Sequence, residues 1–187
     1  RLTETQTDKV NAVLVGNARA AQGATAELLN GGHQNIGISL GPQDIYTSRQ
    51  RLAGYKTALK DNGFAPKAAL VAYSDYTVQG GYESMKHLLG KKEMSAVFVT
   101  NYEMTLGAII AINEMGVQIP QKLSFIGFDN LHLSQVVRPK LTIVTQPLEE
   151  IGTNAANILL ERLAAGGAEL APATITLQCG ISAGESI

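Results

Sequence analysis

Short apolar runs rich in Val and Ile alternate along this chain with longer stretches in which apolar residues recur at helical spacing. That alternation predicts β-α-β units around a mainly parallel sheet. Val10 to Val15 reads as a strand ended by Gly16-Asn17, and Ala20 to Leu29 as a helix with Ala21, Ala24, Leu28 and Leu29 on one face, closed by Gly31-Gly32. Asn35 to Leu40 is the next strand, stopped by Gly41-Pro42. Tyr46 to Asn62 is a helix with Leu52, Tyr55 and Leu59 on one face, ended by Gly63. The rhythm continues with a strand at Ala68 to Tyr73, a helix at Val78 to Leu89, a strand at Ala96 to Thr100, a helix at Met104 to Met115 ended by Gly116, and a strand at Leu123 to Phe128.

After Asp129 the pattern changes to a loop as far as Pro139, a brief extended run Leu141 to Gln146, and Pro147. A helix over Leu148 to Ala165 presents Ile151, Ala155, Ile158, Leu159 and Leu163 at helical spacing before Gly166-Gly167. The tail Ala173 to Gln178 alternates apolar and polar residues, which suits an edge strand.

The 187 residues are 45% hydrophobic and 17% charged, a composition that can bury a core. Lys+Arg number 15 against 16 Asp+Glu, so the total lacks the basic footprint that phosphate-backbone binding needs. The lone Cys179 rules out an internal disulfide and fits a reducing, cytoplasmic setting. No run approaches the length of a membrane span, and Arg1 to Lys9 has no hydrophobic signal core. The chain opens on Arg rather than Met, so a longer parent protein is expected.

In an open parallel sheet ligands sit beyond the carboxyl ends of the strands, which puts the residues just after each strand first in line. Here they are polar: Thr47, Arg49 and Arg51; Ser74, Asp75 and Tyr76; Asn101, Tyr102 and Glu103; Asp129 and Asn130. A sugar offers hydroxyls that donate and accept, together with an apolar C-H face. Carboxylate and amide groups, a forked guanidinium and an aromatic ring match those features. Each residue taken singly also has a bland alternative: Arg51 as a surface ion pair, Asp129 as a turn cap, Tyr76 as core.

Catalytic chemistry finds little support. His33, His87 and His132 lack metal-ligand spacing, Cys179 has no neighbouring His, and no nucleophile elbow, dinucleotide fingerprint or phosphate loop is present. Neither a catalytic residue, a metal nor a cofactor is expected.

At these positions the chain resembles the lactose-repressor/galactose-repressor (LacI/GalR) family of transcription regulators. The stretches that carry the likeness, in order, are Gly32-His33-Gln34-Asn35-Ile36, Arg49-Gln50-Arg51-Leu52-Ala53-Gly54-Tyr55, Thr100-Asn101-Tyr102-Glu103-Met104-Thr105-Leu106-Gly107-Ala108, Ile126-Gly127-Phe128-Asp129-Asn130, and Pro139-Lys140-Leu141-Thr142 running on to Gln146-Pro147. The resemblance implies a type I periplasmic-binding-protein-like α/β fold, with a mainly parallel sheet in three α/β/α layers. It also implies two hinged lobes, a small-molecule effector in the cleft, and a DNA-binding headpiece ahead of them that reads operator DNA.

Effector-binding roles carry over to Thr47, Arg51, Asn101 and Asp129, with Tyr76 in the stacking position. Side-by-side homodimer contacts carry over to Leu106, Ile110, Val136 and Val137, for which ordinary core packing is the alternative. The lobe division implied is residues 1–16 as a crossover segment, 17–145 plus 175–187 as the carboxyl-terminal lobe, and 146–174 as a helix and linker of the other lobe. The Leu148 to Ala165 helix then lacks a sheet of its own lobe, so its apolar face is expected to meet a partner chain or remain mobile. Two departures stand out. Tyr102 replaces the acidic residue common after the asparagine, and the arginine usual near Gly180 is missing. A sugar-responsive repressor is the first reading, a periplasmic sugar-binding transport protein the alternative, and an enzyme of the doubly wound class the least supported.

Overall fold

The computed structural model describes residues 10–129, 131–164 and 171–187. Arg1 to Lys9, Asn130, and the helix stop at Ala165 to Gly167 lie outside the described residues. The elements in chain order are β1 (Ala12–Val15), α1 (Asn17–Asn30), β2 (Ile36–Leu40), α2 (Tyr46–Asp61), β3 (Val71–Tyr73), α3 (Val78–Leu89), β4 (Ala96–Val99), α4 (Tyr102–Glu114), β5 (Ser124–Phe128), α5 (Leu131–Val136), β6 (Thr142–Thr145), α6 (Leu148–Ala164), β7 (Thr174–Leu177) and β8 (Gly180–Ser182).

A six-stranded sheet runs in the order β3-β2-β4-β5-β6-β8, with the first five strands parallel and β8 antiparallel to β6. β2, β4 and β5 are buried along their whole length, which is why they read as continuous apolar runs rather than alternating ones. One face packs Val97, Val99, Phe125 and Ile143 against Met85 and Leu88 of α3 and Met104, Ala108 and Ile112 of α4. The other packs Ile36, Ile38, Phe98, Ile126 and Phe128 against Ala21, Ala24 and Leu28 of α1 and Tyr55 and Leu59 of α2. The result is three layers.

Glycines set the helix spacing: a Cβ at Gly54 would overlap the Ala18 carbonyl oxygen, and one at Gly107 would overlap that of Val78 and lie 2.7 Å from Tyr82 N. Thr77 and Asn101 cap α3 and α4 through side chains that accept from Gly80 N and Met104 N. The tail is pinned by Ser186, whose Oγ accepts from Thr142 N at 2.8 Å and donates to Phe125 O at 2.6 Å.

Several expectations change. Val10 is exposed and precedes the first strand, and Ala68–Leu70 is a 3-10 turn, so β3 is shorter than its apolar run. The loop before Pro139 contains α5. β7 does not border the main sheet but pairs in parallel with β1 as a separate two-stranded sheet. Residues 175–177 therefore fall outside the main unit, and β8 provides its edge. The α6 helix lies against β1 and β7. It is tethered by Arg162, whose Nη2 donates to Asn11 Oδ1 at 2.7 Å and to Ala171 O at 2.6 Å. Glu149 and Glu150 in its first turn and Arg162 in its last match the helix dipole, but no residue of α6 is fully buried.

Candidate functional site

The strand order places a switch point between β2 and β4, where the connection from β2 leads to β3 on one side while β4 lies on the other. The crevice outside the carboxyl ends at such a point is where open α/β sheets bind ligands. Arg51 reaches it from the buried face of α2 and is only 6% exposed, which rules out the surface ion pair. Its Nε donates to Asn17 Oδ1 at 2.9 Å, its Nη1 donates to Thr100 O, and the guanidinium carbon sits 3.8 Å from the Phe128 ring centroid. Asn17 is held in turn by its own Nδ2, which donates to Val15 O at 3.0 Å.

Asp129 follows β5 with φ 64, a conformation that Asp tolerates better than most residues. Its carboxylate accepts from Gln146 N at 3.3 Å and from Gln146 Nε2. Burial pushes the Asp129 carboxyl pKa up, against the opposing pull of the Gln146 hydrogen bonds and the Arg51 charge. Burial holds Arg51 below its usual value, opposed by Tyr76, Asp129 and Cys179. The half-buried Cys179 thiol is pushed up by desolvation, so it is a poor nucleophile.

Thr47 and Tyr76 are brought together: Thr47 Oγ1 and Tyr76 OH are 2.9 Å apart, and Ser48 Oγ lies 2.6 Å from the same hydroxyl. Tyr76 has φ 66, is buried, and closes its ring over Gly41, where any Cβ would overlap it. It is packed as a core ring rather than presented as a stacking face. Asn101 spends Oδ1 on the α4 cap, accepting from Met104 N at 3.1 Å, a bond that does not engage its Nδ2.

Sequence reasoning missed Asn17, Ser48, Thr100, Phe128 and Gln146. Asn17 and Gln146 were within reach of the same strand-end rule, since each closely follows an apolar strand, but their strands lead into the two passages between the sheets. Of the contact candidates, Leu106 and Val137 are half-buried, Ile110 is 39% exposed and Val136 is 76% exposed. Val137 packs on the core. A groove of about 490 Å³ between α4 and the Pro139 segment takes in Val137 but not the other three, and is lined also by Ile109 and Asn113.

A buried guanidinium and a half-buried carboxylate thus stand at the switch point of a three-layer sheet, each hydrogen-bonded to a residue where the chain passes to or from the second sheet. The periplasmic-binding-protein-like domain family matches residues 25–187, and the chain belongs to it.

Catabolite control protein A of Priestia megaterium is 36% identical over 155 residues, covering 82% of this chain and 47% of its own length. The HTH-type transcriptional repressor PurR of Haemophilus influenzae (strain PittEE) is 37% identical over 141 residues, covering 75% of this chain and 42% of its own length. The transcriptional regulator CelR, solved with cellobiose, superposes with a TM-score of 0.89 at 30% identity over 96% of this chain and 55% of that one. Within the broader fold the chain is thus an effector-binding domain of the LacI family. It spans less than half the length of these sequence relatives.

Proposed function

We propose that this chain is the effector-sensing part of a sugar-responsive, cytoplasmic transcription repressor that catalyses no reaction. The observation that carries the reading is the pairing of Arg51 with Asn17 and of Asp129 with Gln146. The two charged residues of the crevice are each bonded to a residue at a passage between the sheets. A neutral polyol suits them, because a hydroxyl can accept from the guanidinium and donate to the carboxylate. CelR was solved with cellobiose, which supports a sugar as the ligand class. Residues 17–145 with 178–187 form the main effector lobe, while β1, α6 and β7 belong to the second lobe. The parent pairs as a homodimer through Leu106, Ile110, Val136 and Val137, and reaches operator DNA through a headpiece on the parent protein. Ligand binding changes the relation of the lobes only as far as its affinity differs between their arrangements.

The test is calorimetry on the parent protein with both lobes, against a panel that includes cellobiose and D-ribose. At least one sugar binds, and Asp129→Asn or Arg51→Gln weakens that binding by about 2 kcal/mol or more while leaving the fold and operator binding intact. Failure of every sugar to bind, or equal binding by both variants, overturns the proposal.

A further inference from the structure

The six-stranded sheet ends at β3, and that edge carries open backbone groups beside unpaired charge. Leu40 stands opposite Tyr73, and Ser74 N donates to Leu40 O, so the main chain of Ala72 and Ser74 faces β2 while that of Val71 and Tyr73 turns outward. The Val71 N-H closes the preceding 3-10 turn onto Ala68 O. What the edge offers is therefore Val71 C=O, Tyr73 N-H and Tyr73 C=O. An acceptor and a donor two residues apart form the grip by which a sheet edge holds one residue of an added strand.

Each face of the edge is flanked by a concavity. On the α3 side a groove of about 590 Å³ is lined by Val71 to Ser74, with Asp75, Glu83 and His87. No ion pair reaches Asp75 or Glu83 among the described residues. On the α2 side a hollow of about 240 Å³ is lined by Leu52, Pro66, Val71 and Tyr73, with Tyr73 39% exposed, and is bordered by Lys56 and by Lys67, which is paired with Glu93. Successive side chains of an added strand point to opposite faces, so one set would meet the carboxylates and the other the hollow floored by Leu52, Pro66, Val71 and Tyr73.

We propose that the β3 edge is a strand-addition site for an extended basic segment of a partner protein, alternating Lys or Arg with apolar residues. The partner's main chain pairs with Val71 C=O and Tyr73 N-H. Its cationic side chain lies beside Asp75 and Glu83, and its apolar neighbour enters the hollow between Leu52 and Tyr73. Asp75 and Glu83 select a cationic side chain for the α3 face, while Lys67 on the α2 face is already paired with Glu93, and the shortness of β3 leaves specificity to the two flanking concavities.

The experiment uses the 187-residue chain and a fluorescent six-residue peptide alternating Lys and Val, read by anisotropy and by amide exchange at Tyr73. Saturable binding is expected, with slowed exchange of the Tyr73 amide. A peptide alternating Glu and Val should bind at least about tenfold more weakly, as should the Lys-Val peptide on Glu83→Lys. Glu83 is exposed on α3, so that variant keeps the fold. A Lys-Val peptide N-methylated along one edge should lose the Tyr73 protection. The proposal is overturned if no saturable binding occurs, if Glu83→Lys binds as well as the parent chain, or if the N-methylated peptide binds equally with no change at Tyr73.

Discussion

In the six-stranded unit helices α1 to α4 each bury a full apolar face, and Phe98, Phe125 and Phe128 are sealed between them; in the β1-α6-β7 unit α6 buries no residue, and Leu148, Leu159, Leu160 and Leu163 stand 60% to 70% exposed. Local chemistry does not explain the difference, since α6 has an apolar stripe and is the one helix of these five with both acidic residues in its first turn and a basic residue in its last. What differs is cover. Burying each of those leucines would be worth up to about 2 kcal/mol, and two short strands do not supply the surface. A hydrophobic pattern thus specifies a helix and the side it would bury, while the neighbouring sheet decides whether burial happens. The crevice residues lie on the seam between these two regimes.

The sharpest way to break the comparison is a methyl group at Gly107. Its Cβ would overlap Val78 O and crowd Tyr82 N at 2.7 Å, and both are backbone atoms that cannot turn aside. Helices α3 and α4 must then separate and loosen the core beneath them. Gly107→Ala is expected to destabilise the chain by about 3 kcal/mol, a fall of roughly 6–12 °C in Tm by thermal circular dichroism. An unchanged Tm would mean that close helix approach does not set the stability of the main unit.

At the seam the effect is smaller and depends on pH. Burial raises the Asp129 carboxyl pKa above its unfolded value of about 3.9, so the folded chain holds that proton more tightly than the unfolded chain does. The resulting stabilisation is complete below the unfolded pKa and is lost as pH rises through the folded one. At neutral pH the ionised group therefore costs stability. Asp129→Asn removes that cost and tolerates the positive φ, and Gln146 can turn its amide to keep one hydrogen bond. Urea midpoints should show the variant more stable than the parent chain at pH 7, with the gap closing towards pH 4. A parent chain more stable at pH 7 would show that Arg51 and Gln146 more than repay the burial. A carboxylate kept where it weakens the fold is the pattern expected of a ligand contact.

These two tests also mark what the amino-acid pattern could reveal. Strands such as β2 and β5 were legible because they are buried on both faces and bounded by polar or glycine stops, and Arg51 and Asp129 were legible because they follow strands. The pairing of β7 with β1 and of β8 with β6 was not, because each short strand is stabilised by residues remote in sequence. α5 is only six residues long, too short for a helical period to show. Tyr76 looked like a stacking ring, but its burial depends on the absent side chain of Gly41 and the hydroxyls of Thr47 and Ser48, none of them its neighbours in sequence. Asn17, at the start of α1, and Gln146, in the loop after β6, are ordinary polar residues until folding brings them to Arg51 and Asp129.

The smallest expected effect sharpens the comparison most. Gly152 lies in α6 with nothing within 4 Å of where its Cβ would be, the opposite of Gly107. Ala is favoured over Gly in a helix interior by about 1 kcal/mol, so Gly152→Ala should strengthen α6. Because α6 rests chiefly on β1 and β7 among the described elements, that gain is expected to stay local. Amide exchange within α6 should slow by about fivefold, while the urea midpoint of the main unit stays where it is. If the midpoint instead rises by the full increment, the two units unfold together. The seam bonds through Asn17 and Gln146 would then transmit stability between sheets as well as hold the crevice charges in place.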